Sequence, residues 1–441
     1  MKIGIWSKGL FVITLVLSVS VVINASSSQN VQETQSKTFI TTGQSLSRQN
    51  LQNLFDQFEN RLQQNRLDHE ASLLKAMLYF NTGSEQQALK EIDTLTQRAP
   101  DFHLAHLVRG DILFSRYGRV SDIGESPLMQ EFGKEGIEKL HLLRAEAEAR
   151  LKAMIEIELG NRVPGQLLGL GESIETAILV EKKYNRLFVY SRTAEHEPPR
   201  LIRDYYVSTG KKRGNKQIRG DLKTPEGVYF VTSWIPDEKL PAKYGVGAFP
   251  VNYPNELDRK LGKTGDGIWL HGTDPGYYSR PPLDSEGCVV LPNIDLSGLK
   301  NDIVPGKTPI IITEQADWLD RNDWHQQRKE IMYTLEKWRK DWESMDVNRY
   351  LSHYATDFWS GRHTLQTWAA RKRYLARSKT YQRVRLSDIA LFTYPARDQK
   401  QPVVVARFRQ QYQSNNYNGD ISKRVYLRKE GDDWRIMYEG G

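Results

Sequence analysis

The 441-residue chain contains one cysteine, Cys288. No intrachain disulfide is possible, so this residue is not a structural staple. Apolar runs are also short. The longest candidate near the N-terminus, residues 10–23, stops at fourteen residues, below the roughly twenty that a membrane-spanning helix needs. With 39% hydrophobic and 26% charged residues, the composition excludes a multi-span membrane protein and a largely disordered chain. No metal-ligand set stands out. His103 and His106 lie one helical turn apart, but no third ligand is near in sequence, so packing roles are expected of them.

What is present begins with an export signal. Lys2 and Lys8 flank the start of the chain, residues 10–23 are uncharged and apolar, and Asn24-Ala25 opens a Ser/Gln-rich stretch. These are the parts of a secretory signal, cleaved after Ala25 or retained as an inner-membrane anchor. Either way the remainder is expected outside the cytoplasm, in the periplasm. A lone thiol there is either a small buried hydrophobe or a catalytic thiolate. The net charge of +8 favours anionic partners, including an acidic wall polymer.

Three folded parts follow a polar linker at 26–45. Residues 46–160 read as α-helical. Leu51, Leu54, Phe55, Phe58 and Leu62 share one helical face, and breaks at Asn81-Thr82-Gly83 and Ala99-Pro100 give spacings that resemble a degenerate tetratricopeptide repeat. Residues 170–315 read as a mixed-β domain, with strands expected at 177–181, 187–191, 201–208, 227–233 and 267–271. Residues 324–441 read as an α+β cone: a long helix, a second helix at 364–378, then strands at 381–394, 402–413 and 421–438. Its pattern resembles the NTF-like (SnoaL-like) cone domain. Apolar/polar alternation in residues 403–412 predicts sheet faces open to solvent. Trp338, Trp342, Tyr350, Tyr354, Phe358 and Trp359 are read as core of this cone or as the wall of a ligand pocket. A basic helix, residues 371–379, invites a nucleic-acid reading. Behind an export signal it reads instead as a solvated or wall-facing surface.

The chemistry-bearing segment is residues 267–295, GIWLHGTDPGYYSRPPLDSEGCVVLPNID. A strand ending at His271 and a strand beginning after Cys288 bring imidazole and thiol together if the two strands are neighbours. An adjacent imidazole draws the proton from a thiol whose free pKa is about 8.5. The backbone N–H groups of Gly287 and Cys288, and that of Gly272, are candidates for an oxyanion hole.

His271-Gly272, sixteen intervening residues, and Ser285-Glu286-Gly287-Cys288 resemble the L,D-transpeptidase (YkuD-type) catalytic domain. Upstream, residues 207–210, Gly220-Asp221 and residues 224–229 look like the leading motif of the same family. The resemblance implies Cys288 as nucleophile and His271 as base, with Ser285, Glu286, Tyr253 and Arg280 at the substrate, and no cofactor or metal. Two departures stand out: Glu286 and Val290 occupy positions where crosslinking members often carry a second His and a polar residue. Glu286 is expected to orient His271 or a substrate amine. The order of catalytic and cone domains resembles the branch of wall-trimming D,L-carboxypeptidases. The implied partner is the peptidoglycan stem tetrapeptide, which is either trimmed or crosslinked. Release of a wall-linked lipoprotein and a catalytically weak wall-binding scaffold are the alternatives.

The basic loop holding Lys211, Lys212, Arg213, Lys216 and Arg219 is expected to be solvated or to clamp a stem carboxylate. Tyr277, Tyr278 and Arg280, with Gly276 as pivot, are expected to form a lid or an ordinary surface loop.

Overall fold

The computed structural model describes residues 48–118, 120, 123–124, 133–156, 162–395 and 401–441. The expected export segment and linker lie outside the described residues. No described helix is long and apolar enough to cross a membrane. The chain divides into two compact units, Met1–Leu151 and Lys152–Gly441.

In the first unit, helices span Arg48–Gln64, His69–Asn81, Glu85–Arg98 and His103–Phe114, and a longer one begins at Gly133. Asp68 caps the second helix by accepting the Ala71 N–H at 2.9 Å, which satisfies one of its free N-terminal donors. Gly83 turns the chain with φ +80, a conformation that suits glycine. Apolar side chains at helical spacing, among them Ala88, Ile92 and Leu95, are buried. Beneath them Arg150 bonds Glu70 at 2.7 Å and Glu146 at 2.8 Å, so this buried cation is paired rather than stranded.

The second unit is built on three layers of sheet and one long helix. A five-stranded sheet has the order Arg200–Tyr206, Arg186–Ser191, Thr176–Glu181, Pro309–Thr313, Gly227–Phe230. Only its Thr176–Glu181 and Pro309–Thr313 pair is parallel. One face of that sheet, with Ile178, Val180, Leu187, Val189, Ile310 and Ile312, packs with Phe249, Leu270 and Val289. The latter belong to a four-stranded sheet ordered Val289–Val290, Trp269–His271, Gly247–Pro250, Ile235–Pro236. The opposite face, with Leu179, Phe188, Val228 and Ile311, packs with Phe392, Val403, Val405 and Tyr426 of the C-terminal sheet. Burial on both faces explains why residues 177–180 are an unbroken apolar run instead of an alternating one.

The C-terminal sheet has seven strands, ordered His363–Thr364, Tyr354–Ser360, Asp433–Gly440, Asn418–Glu430, Val403–Ser414, Gln382–Thr393, Leu167–Gly169. The expected strand at 421–438 is a hairpin of two strands turning at Gly431, whose φ is +61. Its seventh strand comes from ahead of the catalytic sheet: Leu167–Gly169 pairs antiparallel with Gln382–Thr393. The helix Arg321–Glu343 lays Trp324, Ile331, Leu335, Trp338 and Trp342 against Leu391, Val404, Ala406, Phe408 and Val425. Each such buried side chain contributes roughly 2 kcal/mol relative to exposure.

The expectation of solvent-open faces at residues 403–412 is corrected in part. Val403, Val404, Val405 and Ala406 are all buried, because the catalytic sheet covers the face that would otherwise meet water. Arg409 and Gln411, farther along the strand, are exposed. Polar ties reinforce the seam. Arg424 bonds Glu256 at 2.7 Å, the Tyr426 hydroxyl donates to Glu256 at 3.0 Å, and Asn255 Nδ2 donates to the Tyr394 hydroxyl at 3.2 Å.

Candidate active site

The site lies on the four-stranded sheet. Trp269–His271 and Val289–Val290 run parallel, with Leu270 opposite Val289 and His271 opposite Val290. Leu270 and Val289 enter the core. Side chains alternate along a strand, so Trp269, His271 and Cys288 share the other face, with Cys288 level with Trp269. Tyr244 confirms this face: its ring centroid lies 5.0 Å from that of Trp269 and 4.9 Å from that of His271. The neighbouring strands that the sequence required are therefore present, in parallel register.

His271 is buried, and its Nδ1 lies 2.6 Å from the Gly272 carbonyl oxygen. A carbonyl only accepts, so Nδ1 carries the proton and Nε2 is left with a lone pair. Burial pushes the His271 imidazolium down to about 4; the Gly272 bond opposes this, while Arg280 and Lys243 add to it. Cys288 is half-buried and its Sγ lies 3.4 Å from the Gly267 carbonyl oxygen. Burial pushes the thiol up to about 11, with the Trp269 backbone, Arg280 and Lys243 opposing and Glu286 adding to the rise. At neutral pH the two groups on this face are thus a thiol and a neutral imidazole, not a preformed ion pair. Such an imidazole can take the proton as sulfur attacks.

The turn before Cys288 corrects several expectations. Ser285 is buried; its hydroxyl donates to the Cys288 carbonyl at 2.6 Å and accepts the Gly287 N–H at 3.1 Å. Ser285 therefore builds the turn and does not face substrate. The Gly287 N–H is engaged there, and the Gly272 N–H donates to the Gly247 carbonyl at 3.3 Å. Neither is the free oxyanion donor that was expected. Both glycines are instead needed for space. Gly287 has φ +128, and a Cβ at Gly272 would lie 2.1 Å from Asn293 Oδ1.

Tyr253 is likewise corrected: it is buried in the core and its hydroxyl donates to the Thr264 carbonyl at 3.2 Å. Glu286 is exposed and does not orient His271, because the Gly272 carbonyl holds that role. Arg280 does stand at the site. Its Nε donates to Thr273 Oγ1 at 3.2 Å and its Nη2 to the Lys243 carbonyl at 2.8 Å, and its charge acts on both His271 and Cys288.

Three residues were missed from sequence: Lys243, Tyr244 and Asn293. Asn293 Oδ1 accepts the Thr273 and Val246 N–H groups at 3.1 and 3.3 Å, and its Nδ2 donates to the Thr273 carbonyl at 2.8 Å. It thereby ties the segment after His271 to the loop carrying Tyr244. Its place five residues after Cys288 was the available signal.

In the basic loop, Lys216 is buried and bonds Asp221 at 2.8 Å. Although burial raises Asp221, Lys216 and the Gln217, Ile218 and Lys223 N–H groups hold its carboxyl at about 2. Lys216 thus pins the loop, whereas Lys211 and Lys212 are exposed. Tyr277 is exposed and Tyr278 is buried. The Tyr277 N–H donates to the Asp274 carbonyl at 2.9 Å, forming an ordinary turn. His106 lies 3.0 Å from the Pro100 carbonyl. Among the described residues no group of three or more His, Cys, Asp or Glu side chains is arranged to hold a metal ion.

The cone holds a cavity of about 580 Å³ lined by residues including Trp342, Tyr350, Lys372, Gln410, Tyr412 and Lys423. The Lys372 ammonium lies 4.6, 5.3 and 4.5 Å from the ring centroids of Trp342, Tyr350 and Trp368. Burial pushes it down to about 8, with Glu439 opposing. Gln410 is buried, and its Oε1 meets no hydrogen-bond partner among the described residues. The aromatic residues in question therefore divide: Trp338, Tyr354 and Phe358 are core, Trp342 and Tyr350 belong to the same core and also wall the cavity, and Trp359 meets Lys260 of the catalytic domain at 5.2 Å.

A two-sheet domain with thiol and imidazole on one face, fused to a cone, defines a recognisable class. Residues 175–312 match the model of the L,D-transpeptidase catalytic domain, YkuD, and residues 330–440 match that of the Cds6 C-terminal NTF2-like domain. Bd1075 from Bdellovibrio bacteriovorus is 30% identical over 63% of this chain and 97% of its own, with a TM-score of 0.56. The helical cell shape determining protein Pgp2 from Campylobacter jejuni is 26% identical over 64% of this chain and 96% of its own, with a TM-score of 0.54. A comparison with curated proteins returns no match. The chain belongs to the YkuD-type L,D-transpeptidase family, whose enzymes act on peptidoglycan, in the form that carries a C-terminal NTF2-like domain.

Proposed function

We propose that this protein is an exported, periplasmic cysteine enzyme that trims peptidoglycan stem tetrapeptides to tripeptides, a D,L-carboxypeptidase acting in cell-shape control. The observation that carries it is the Cys288 thiol and His271 imidazole on one face of adjacent parallel strands, with Nδ1 engaged and Nε2 free. His271 Nε2 takes the thiol proton as Cys288 Sγ attacks the L-centre carbonyl between the third and fourth stem residues. The imidazolium then protonates the leaving amine, the C–N bond breaks, and a thioester remains. Water, giving a proton to His271, attacks the thioester; the tripeptide carboxylate leaves and the thiol is restored.

Glu286 and Val290, which stand where crosslinking members often carry a second His and a polar residue, support trimming over crosslinking; Arg280 and Lys243 serve the donor tetrapeptide that both reactions share. Two cations beside the thiol suit the terminal carboxylate of a stem whose fourth residue is free. The cone cavity, cationic and aromatic with an unpartnered buried amide oxygen, serves in this reading as a holding pocket for a wall fragment. The helical unit, with hairpin helices of TPR-like length, serves as a protein-contacting module. Incubation with tetrapeptide muropeptides tests the proposal: tripeptides without dimers are expected, and loss of the product in Cys288→Ala. Accumulation of 3-3 dimers would replace trimming by crosslinking, and full activity in Cys288→Ala would end the thioester account.

A further inference from the structure

Glu286 differs from the other charges around the cysteine. The turn that carries it is fixed on both sides: Ser285 Oγ bridges the Gly287 N–H and the Cys288 carbonyl, and Gly287 is packed against the Lys223 carbonyl, which a Cβ would meet at 2.8 Å. The Glu286 side chain is the exposed one of this turn, two residues before the thiol. No hydrogen bond or ion pair joins its carboxylate to another described residue.

Arg280 is anchored through Thr273 and the Lys243 carbonyl, and the Tyr206 hydroxyl donates to the Arg280 carbonyl at 2.9 Å. The Lys243 ammonium rests 5.1 Å from the Tyr244 ring centroid. The mouth therefore presents one unpaired carboxylate and two cations around the reacting sulfur. All three charges act on Cys288.

Resting on the stem-peptide reading above, we propose that Glu286 is the residue that reads a free ammonium of the substrate's third residue, the D-centre of diaminopimelate, while Arg280 and Lys243 receive the terminal carboxylate of the stem. That D-centre carries one ammonium and one carboxylate at neutral pH. A charge-assisted bond from the ammonium to Glu286 stabilises the bound stem. Acylation of the amine, as in a crosslinked stem, removes the charge and leaves the carboxylate facing a neutral amide. The enzyme is thus selective for stems whose third-residue amine is uncrosslinked. The same chemistry is offered by two sources, the amine of the stem being cleaved or the amine of a second stem attacking the thioester.

Two arms separate the sources. In the first, kcat/KM is measured on a tetrapeptide with a free and with an N-acetylated diaminopimelate amine, for wild type, Glu286→Gln and Glu286→Asp. Wild type is expected to favour the free amine by about tenfold, Glu286→Gln to reduce that ratio below about twofold through KM, and Glu286→Asp to keep most of it. In the second, tripeptide release and any 3-3 dimer are measured from the N-acetylated donor with a free-amine tripeptide acceptor added. A loss confined to this arm in Glu286→Gln assigns the ammonium to the acceptor. Equal selectivity and equal dimer yield in wild type and Glu286→Gln overturn the role of Glu286. Failure of wild type to cleave either tetrapeptide overturns the stem-peptide reading beneath it.

Discussion

At the cysteine turn, reactive groups are held by backbone. His271 is oriented by the Gly272 carbonyl, Cys288 follows a turn closed by Ser285, and Asn293 locks the adjoining loops. In the cone cavity of the same unit, side chains do the shaping: a lysine lies among three aromatic rings and a buried glutamine keeps one oxygen unpartnered. The first arrangement leaves little room and fixes geometry, as acyl transfer demands. The second leaves about 580 Å³ and unmet hydrogen-bonding capacity, as a binding pocket demands. Burial acts in both places, but on different charges. It keeps thiol and imidazole neutral at the turn, and in the cavity it lowers an ammonium that still has Glu439 near it.

The largest expected effect is at His271. His271→Gln is expected to lower kcat by about 10²–10⁴-fold, the usual weight of a general base. Since its imidazolium is pushed down to about 4, the neutral base persists as pH falls and is lost only through that value. The pH–rate profile should therefore keep its activity to about pH 5, and an acid limb near 6.5 would contradict the buried, neutral assignment. In the same way, alkylation of Cys288 without substrate should be slow at pH 7 and rise towards pH 11.

The seam beneath both sites supplies the next test. Glu181 is fully buried; its Oε1 accepts the Ala316 N–H at 2.8 Å and its Oε2 meets no partner among the described residues. Burial raises its carboxyl to about 7 from an ordinary 4.5, against the opposing Ala316 bond and Lys183. A raised carboxyl is neutral and harmless below its unfolded pKa. It costs stability as pH rises through the interval, up to about 3 kcal/mol above the folded value. Denaturant unfolding of wild type at pH 5 and pH 8 should show this decline, and Glu181→Gln should flatten it. Equal slopes in the two proteins would place the pH dependence elsewhere.

Smaller effects follow at the two sites. Gly272→Ala sets a methyl 2.1 Å from Asn293 Oδ1, and about 1–3 kcal/mol of destabilisation is expected, read as a lower Tm together with lower kcat. An unchanged Tm would mean the loops yield freely. In the cone, Lys372→Gln is expected to weaken co-sedimentation with peptidoglycan several-fold, with a smaller effect on soluble tetrapeptide turnover. Unaltered sedimentation would remove the holding role from the cavity.

Much of this arrangement was legible beforehand because its signals are local. The His271 and Cys288 motifs lie within one segment, and the strand pattern around them was enough to bring them together. Residues 403–406 carried a signal for two-sided burial, an unbroken Val-Val-Val-Ala run, which the alternation of the following residues obscured. Lys243 and Tyr244 left no comparable trace, because a loop almost thirty residues ahead of His271 is brought to the site by tertiary folding alone. Tyr253 misled for the opposite reason. It sits among motif residues but packs edge-on to Tyr229, with ring centroids 5.9 Å apart. The strands Val163–Pro164 and Leu167–Gly169 are too short for periodicity to reveal, yet one of them completes the C-terminal sheet.

The most direct test is intact-mass analysis of protein mixed with a stem tetrapeptide and quenched in acid within the first turnovers. A transient mass increase equal to the tripeptide acyl group is expected, mapped to Cys288, and absent from Cys288→Ala together with tripeptide release. Tripeptide formation that continues in Cys288→Ala, with no adduct on the wild-type protein, would contradict thioester formation at Cys288.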